Sequence, residues 1–82
     1  MVLEMQFHSV RELADLQQLA AAADHPVYVA SADESIRVDA RSFIGLFTLD
    51  YSQPVMIITD SLYVLNRLEI GLRRQQAAAG AR

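Results

Sequence analysis

The sequence contains no cysteine and no lysine, and only two prolines and three glycines among its 82 residues. Without cysteine there can be no disulfide and no thiolate metal site, so a hydrophobic core must hold the chain together by itself. That is demanding at this length, because so short a chain buries only about 60 to 65% of the surface its unfolded form exposes. The scarcity of Gly and Pro excludes a collagen-like or low-complexity chain, and a hydrophobic share of 52% excludes a disordered one. With lysine absent, seven Arg face ten Asp and Glu for a net charge of −3, which leaves no basic patch for nucleic acid or an anionic membrane. No apolar run approaches the roughly 20 residues of a membrane span. The first seven residues, Met1 to Phe7, lack the positive start and continuous apolar stretch of a signal peptide. The chain reads as one cytoplasmic domain over residues 1–82.

What is present is a succession of short periodic segments. Leu3, Met5 and Phe7 alternate with Glu4, Gln6 and His8, the period of a half-buried strand. Ser9-Val10-Arg11-Glu12 is a capping box, in which the Ser hydroxyl accepts from the Glu12 N–H and the Glu12 carboxylate reaches back to the Ser9 N–H. It predicts a helix from Val10 to Ala23 with Leu13, Leu16, Leu19, Ala20 and Ala23 as its apolar stripe, ended by Asp24-His25-Pro26. Val27–Ala30 and Ser35–Asp39 read as a hairpin closed by Ser31–Glu34, with Ile36 and Val38 inward and Arg37 and Asp39 outward. Ser42 is a candidate N-cap for a helix of about two turns carrying Phe43, Leu46 and Phe47. Asp50–Pro54 is a turn. Val55–Thr59, apolar on both faces, reads as a central strand. Asp60 or Ser61 caps a last helix with Leu65, Leu68 and Leu72 as its stripe, and residues 75–82, which offer nothing large to dock, read as a frayed tail. The order β-α-β-β-α-β-α predicts an α+β fold, a four-stranded antiparallel sheet with three helices on one face.

The run from Ile36 through Val38, Arg41, Ser42, Gly45, Phe47 and Tyr51 to Ile58 resembles the central segment of HPr, the histidine-containing phosphocarrier of the bacterial sugar phosphotransferase system. In that family a basic residue ends a strand, Ser begins a short Gly-containing helix, and a turn leads into the last strand. The resemblance implies an open-faced β-sandwich. The active-site region departs from the family, which places its phosphorylated His at the start of the first helix in a His-x-Arg-Pro context. Here His8 is followed by Ser9-Val10-Arg11-Glu12, so the Arg is displaced, the Pro is missing and an acid occupies the cap. The chain resembles the HPr-related proteins that have lost the phosphocarrier loop.

Two readings of His8 follow. As a phosphoryl acceptor assisted by Arg11, it would use the N–H groups at a helix start; as an outward residue of an alternating strand, it sits where Glu4 and Gln6 also point. The gaps in the motif favour the second. Ser42 matches the position at which many HPr proteins are phosphorylated by a regulatory kinase, yet Ser is a preferred N-cap for purely structural reasons, and that reading is favoured. No metal-ligand spacing, cofactor motif or catalytic triad emerges, and the acids read as solvated. The second helix has more large apolar residues than it can turn inward, so Ile44 or Phe47 should be exposed, and Arg41, Ser42, Ile44, Gly45 and Phe47 form the candidate surface for a protein partner. In HPr that helix meets partner enzymes and regulators. The outer sheet face, with Tyr28, Ala30, Met56 and Ile58, is a second candidate and suits a homodimer.

Overall fold

A computed structural model describes residues 1–69. Four strands, β1 (Val2–Met5), β2 (Val27–Ala30), β3 (Arg37–Asp39) and β4 (Val55–Thr59), alternate with α1 (Val10–Ala22) and α2 (Phe43–Leu46). A third helix, α3, covers residues 62–69. The sheet is antiparallel throughout in the order β1-β4-β2-β3, which puts the apolar β4 beside β2 at the centre. The fold is therefore α+β, as the element pattern predicts. Leu72 and the tail 75–82 lie outside the described residues, and no helix among those described is long and apolar enough to cross a membrane.

Register divides the sheet into two faces. Leu3, Ile57, Val29 and Val38 form one row across it, with Val27 and Val55 on the same side by the two-residue period. These residues share one core with Leu13, Leu16 and Ala20 of α1, Leu46 and Leu49 in and after α2, and Val64 and Leu68 of α3. All three helices thus bury their stripes against the same sheet face.

Several local expectations give way to side-chain chemistry. β1 ends at Met5 because the Gln6 side-chain amide donates to the Tyr51 carbonyl at 2.6 Å, while Phe7 turns inward and meets the Tyr51 ring edge-on. Burial pushes the Tyr51 phenol up to about 12, and its hydroxyl donates to the Leu46 carbonyl. The Glu12 carboxylate accepts from the His8 N–H at 2.8 Å, one residue earlier than the capping box predicts, while Ser9 Oγ accepts from the Glu12 N–H as expected. Ile36 is not an inward strand residue. It is 39% exposed, because the last residue pair of β2 and β3 is Ala30 with Arg37 and Ile36 already belongs to the loop. Of the two candidate caps for α3 it is Ser61, whose Oγ accepts from the Val64 N–H.

The β2–β3 loop is organised by one carboxylate. Ser31 Oγ–H and Ser35 Oγ–H each donate to Asp33 Oδ1 at 2.7 Å, and the Ser35 N–H donates to it as well. These donors, the Ser31 hydroxyl foremost, hold the Asp33 carboxyl down at about 2. A depressed folded-state pKa contributes stability that is present above the unfolded value of 3.8 and is lost as pH falls toward about 2. An NMR titration of the side-chain carboxyl carbon should therefore show a midpoint for Asp33 near 2, moving up toward 3.8 in Ser31→Ala. A wild-type midpoint at the ordinary value would mean that the loop does not hold this arrangement in solution.

Candidate protein-interaction surface

The segment leading into α2 is fixed before the helix starts. The Arg41 N–H donates to Asp39 Oδ1 at 2.9 Å, and the Arg41 guanidinium folds back on the same carboxylate, with Nη2 at 2.8 Å from Oδ2 and Nε at 3.2 Å from Oδ1. Such a fork is a strong, directional contact. It lowers the Asp39 carboxyl from its ordinary value and raises the Arg41 guanidinium. Gln17 of α1 donates its side-chain amide to the Arg41 carbonyl at 3.2 Å, tying this corner to the longer helix. Ser42 then caps α2, its Oγ accepting from the Gly45 N–H at 3.1 Å.

Only one residue of α2 is fully committed to the core. Leu46 is wholly buried, whereas Ile44 is 84%, Phe47 55% and Phe43 37% exposed. A helix of a single turn presents one position to the sheet and the rest to water. Phe43, four residues from Phe47, stacks on it with ring centroids 5.2 Å apart and planes within 10°. The pair stiffens the exposed ridge, and its i, i+4 spacing is the signal by which Phe43 could have been added to the candidate residues from sequence. Gly45 lies where a Cβ would stand 3.3 Å from Ser42 Oγ and 3.4 Å from Val38 Cβ. Its smallness therefore serves the close approach of α2 to its own cap and to β3.

The structure brings Arg41, Ser42, Ile44, Gly45 and Phe47 together on α2 and its entry. His8 and Arg11 lie elsewhere, exposed at the start of α1, and among the described residues no hydrogen bond or ion pair joins them to each other or to the α2 corner. The backbone N–H of Glu12 is taken by Ser9, and that of His8 by the Glu12 carboxylate.

A cleft of about 480 Å³ opens between the β2–β3 loop and the turn before β4, lined by Ser31, Asp33, Ser35, Thr48, Asp50 and Gln53 among others. Its two carboxylates are satisfied locally, Asp33 by Ser31 and Ser35 and Asp50 by the N–H and Oγ–H of Ser52. Both are thereby lowered and held ionised, which suits neither general acid nor general base work near neutral pH. Among the described residues no group of His, Asp and Glu is arranged to hold a metal ion.

No protein-family model matches this chain, and no curated protein or solved structure matches it either.

Proposed function

We propose that this chain is an HPr-like protein-interaction or regulatory module, related to the sugar phosphotransferase system, that docks a protein partner through α2 and has no phosphocarrier activity. The observation that carries the reading is the exposed apolar ridge of Phe43, Ile44 and Phe47 on a helix whose backbone is pinned by the Ser42 cap and the Asp39–Arg41 fork. Large apolar side chains grouped on a rigid element are what a partner's pocket can bury with little loss of conformational entropy. The α+β architecture agrees with what the resemblance implies. The loss of phosphocarrier chemistry is supported at the start of α1, where Ser9 and Glu12 already accept from two of the N–H groups that a phosphoryl group on His8 would need.

One experiment has two arms. Incubation with phosphoenolpyruvate and enzyme I from the same source should leave the protein unphosphorylated; a stoichiometric adduct abolished by His8→Ala would sink the reading in favour of a phosphocarrier. In the second arm, Ile44→Asp combined with Phe47→Asp should keep cooperative unfolding within about 1 kcal/mol of wild type, because both side chains are exposed. The same variant should lose binding to phosphotransferase-system components that the wild type retains. Retained binding would remove α2 as the docking element.

A further inference from the structure

The sheet face turned away from the helices carries two rows of side chains. One runs Glu4, Met56, Ala30, Arg37 from β1 to β3, and its neighbour runs Val2, Ile58, Tyr28, Asp39. The middle of both rows is apolar, and the first row ends in an acid at one sheet edge and a base at the other. Three strand spacings separate Glu4 from Arg37, about 14 Å, so they cannot reach each other within one chain. Among the described residues neither has an ion-pair partner, and the Arg37 guanidinium lies inward over the face, 4.7 Å from the Tyr28 ring centroid.

We infer that this face docks a second copy of the chain, sheet on sheet, about a two-fold axis parallel to the strands. That operation keeps each row and reverses its direction. Glu4 of one copy then meets Arg37 of the other at both ends of the row, Met56 falls over the Ala30 position, which is itself only 2% exposed, and the partly exposed Ile58 and Tyr28 meet. The partly exposed Met56, Ile58 and Tyr28 supply the apolar contact, and each charge without an ion-pair partner finds its opposite. Val2 falls toward Asp39, whose carboxylate is already held by Arg41 at the rim. Sheets packed face to face align within about 30° of each other, so the rows stay in register over this short width. Four strands by about four residues span about 19 by 14 Å. That is well short of the ~800 Å² per partner of stable complexes, so the dimer is weak and concentration-dependent. It leaves α2 open on the opposite layer and would present two docking ridges at once.

Sedimentation equilibrium from about 10 μM to about 1 mM tests the contact. The wild type should pass from monomer toward dimer across that range. Glu4→Arg alone and Arg37→Glu alone should each weaken self-association about tenfold or more, since each places two like-charge contacts in the interface. An equimolar mixture of the two variants restores both opposite-charge contacts and should associate as the wild type does, as should the double variant Glu4→Arg/Arg37→Glu. Both positions are exposed, and circular dichroism verifies that each variant is folded. A wild type that stays monomeric to about 1 mM would overturn the proposal. So would a dimer indifferent to Glu4→Arg, or single variants that weaken association without rescue on mixing.

Discussion

Replacing Leu16 by alanine is expected to destabilise the protein by about 3 to 4 kcal/mol. Leu16 is 1% exposed and sits midway along the buried stripe of α1, between Leu13 and Ala20, in the core that also takes Val29, Ile57 and Val64. Truncation removes its transfer free energy and leaves a cavity that the surrounding core side chains cannot fully close. A domain of this size has about 5 to 10 kcal/mol of stability in total, so the loss is about 30% of it or more. Urea unfolding should show the midpoint falling with the slope unchanged, and the thermal midpoint dropping by about 15 °C or more. Leu16→Met, which roughly conserves volume, should cost less than about 1.5 kcal/mol. A loss below about 1 kcal/mol for the alanine variant would mean that α1 does not pack on the sheet as described.

The same physics separates the core from the working surface on a single helix. Leu46 and Ile44 are two residues apart, yet one is wholly buried and the other 84% exposed. In a longer helix, hydrophobic residues at those spacings would compete for one stripe. In a helix of one turn only Leu46 can reach the sheet, and the excess of apolar residues that the composition allows has nowhere to go but outward. The exposed ridge is thus a direct consequence of the short helix rather than of loose packing.

That ridge was partly legible in the sequence, because a count of large apolar residues against helix length already leaves Ile44 or Phe47 over. For Phe43 the i, i+4 spacing to Phe47 was legible but its exposure was not, since its position relative to the sheet depends on where the turn after β3 aims the helix, and the Asp39–Arg41 fork at that turn is a contact between side chains. The element order was legible because each signal is local: the alternation in β1, the Ser9 box, the leucine spacing in α1, the apolar run of β4. Errors gather at element ends, where side chains compete with backbone. Gln6 ends β1 by bonding a carbonyl far away in sequence, and Ile36 leaves β3 because the Ser31–Asp33–Ser35 cluster takes over the loop. Neither follows from period or propensity. The choice between Asp60 and Ser61 as cap was open for the same reason, because it turns on partners contributed by other elements.

Those partners give the second large expected effect: Ser61→Ala should lower stability by about 2 kcal/mol. Ser61 is fully buried and joins three elements. Its Oγ accepts from the Val64 N–H at the start of α3 and donates to Asp24 Oδ1 at 2.6 Å after the end of α1. Its N–H donates to Thr59 Oγ1, whose own hydroxyl donates to the Pro26 carbonyl before β2. Removing the hydroxyl loses the cap and strands the Val64 N–H in a water-poor site, which costs more than the bond itself was worth. The Ser61 hydroxyl is also the main reason that the Asp24 carboxyl lies below its ordinary value, with His25 contributing next. Because that pKa is depressed in the folded state, the Asp24–Ser61 contribution is present above 3.8 and lost as pH falls below it. The stability gap between wild type and Ser61→Ala, followed by urea unfolding, should therefore be constant from neutral pH down to about 4 and narrow further down. Asp24→Asn should abolish that narrowing, and its effect should not add to that of Ser61→Ala, since the two side chains share one bond. Additive losses, or a gap that stays constant into strong acid, would show that Asp24 and Ser61 are not coupled in solution.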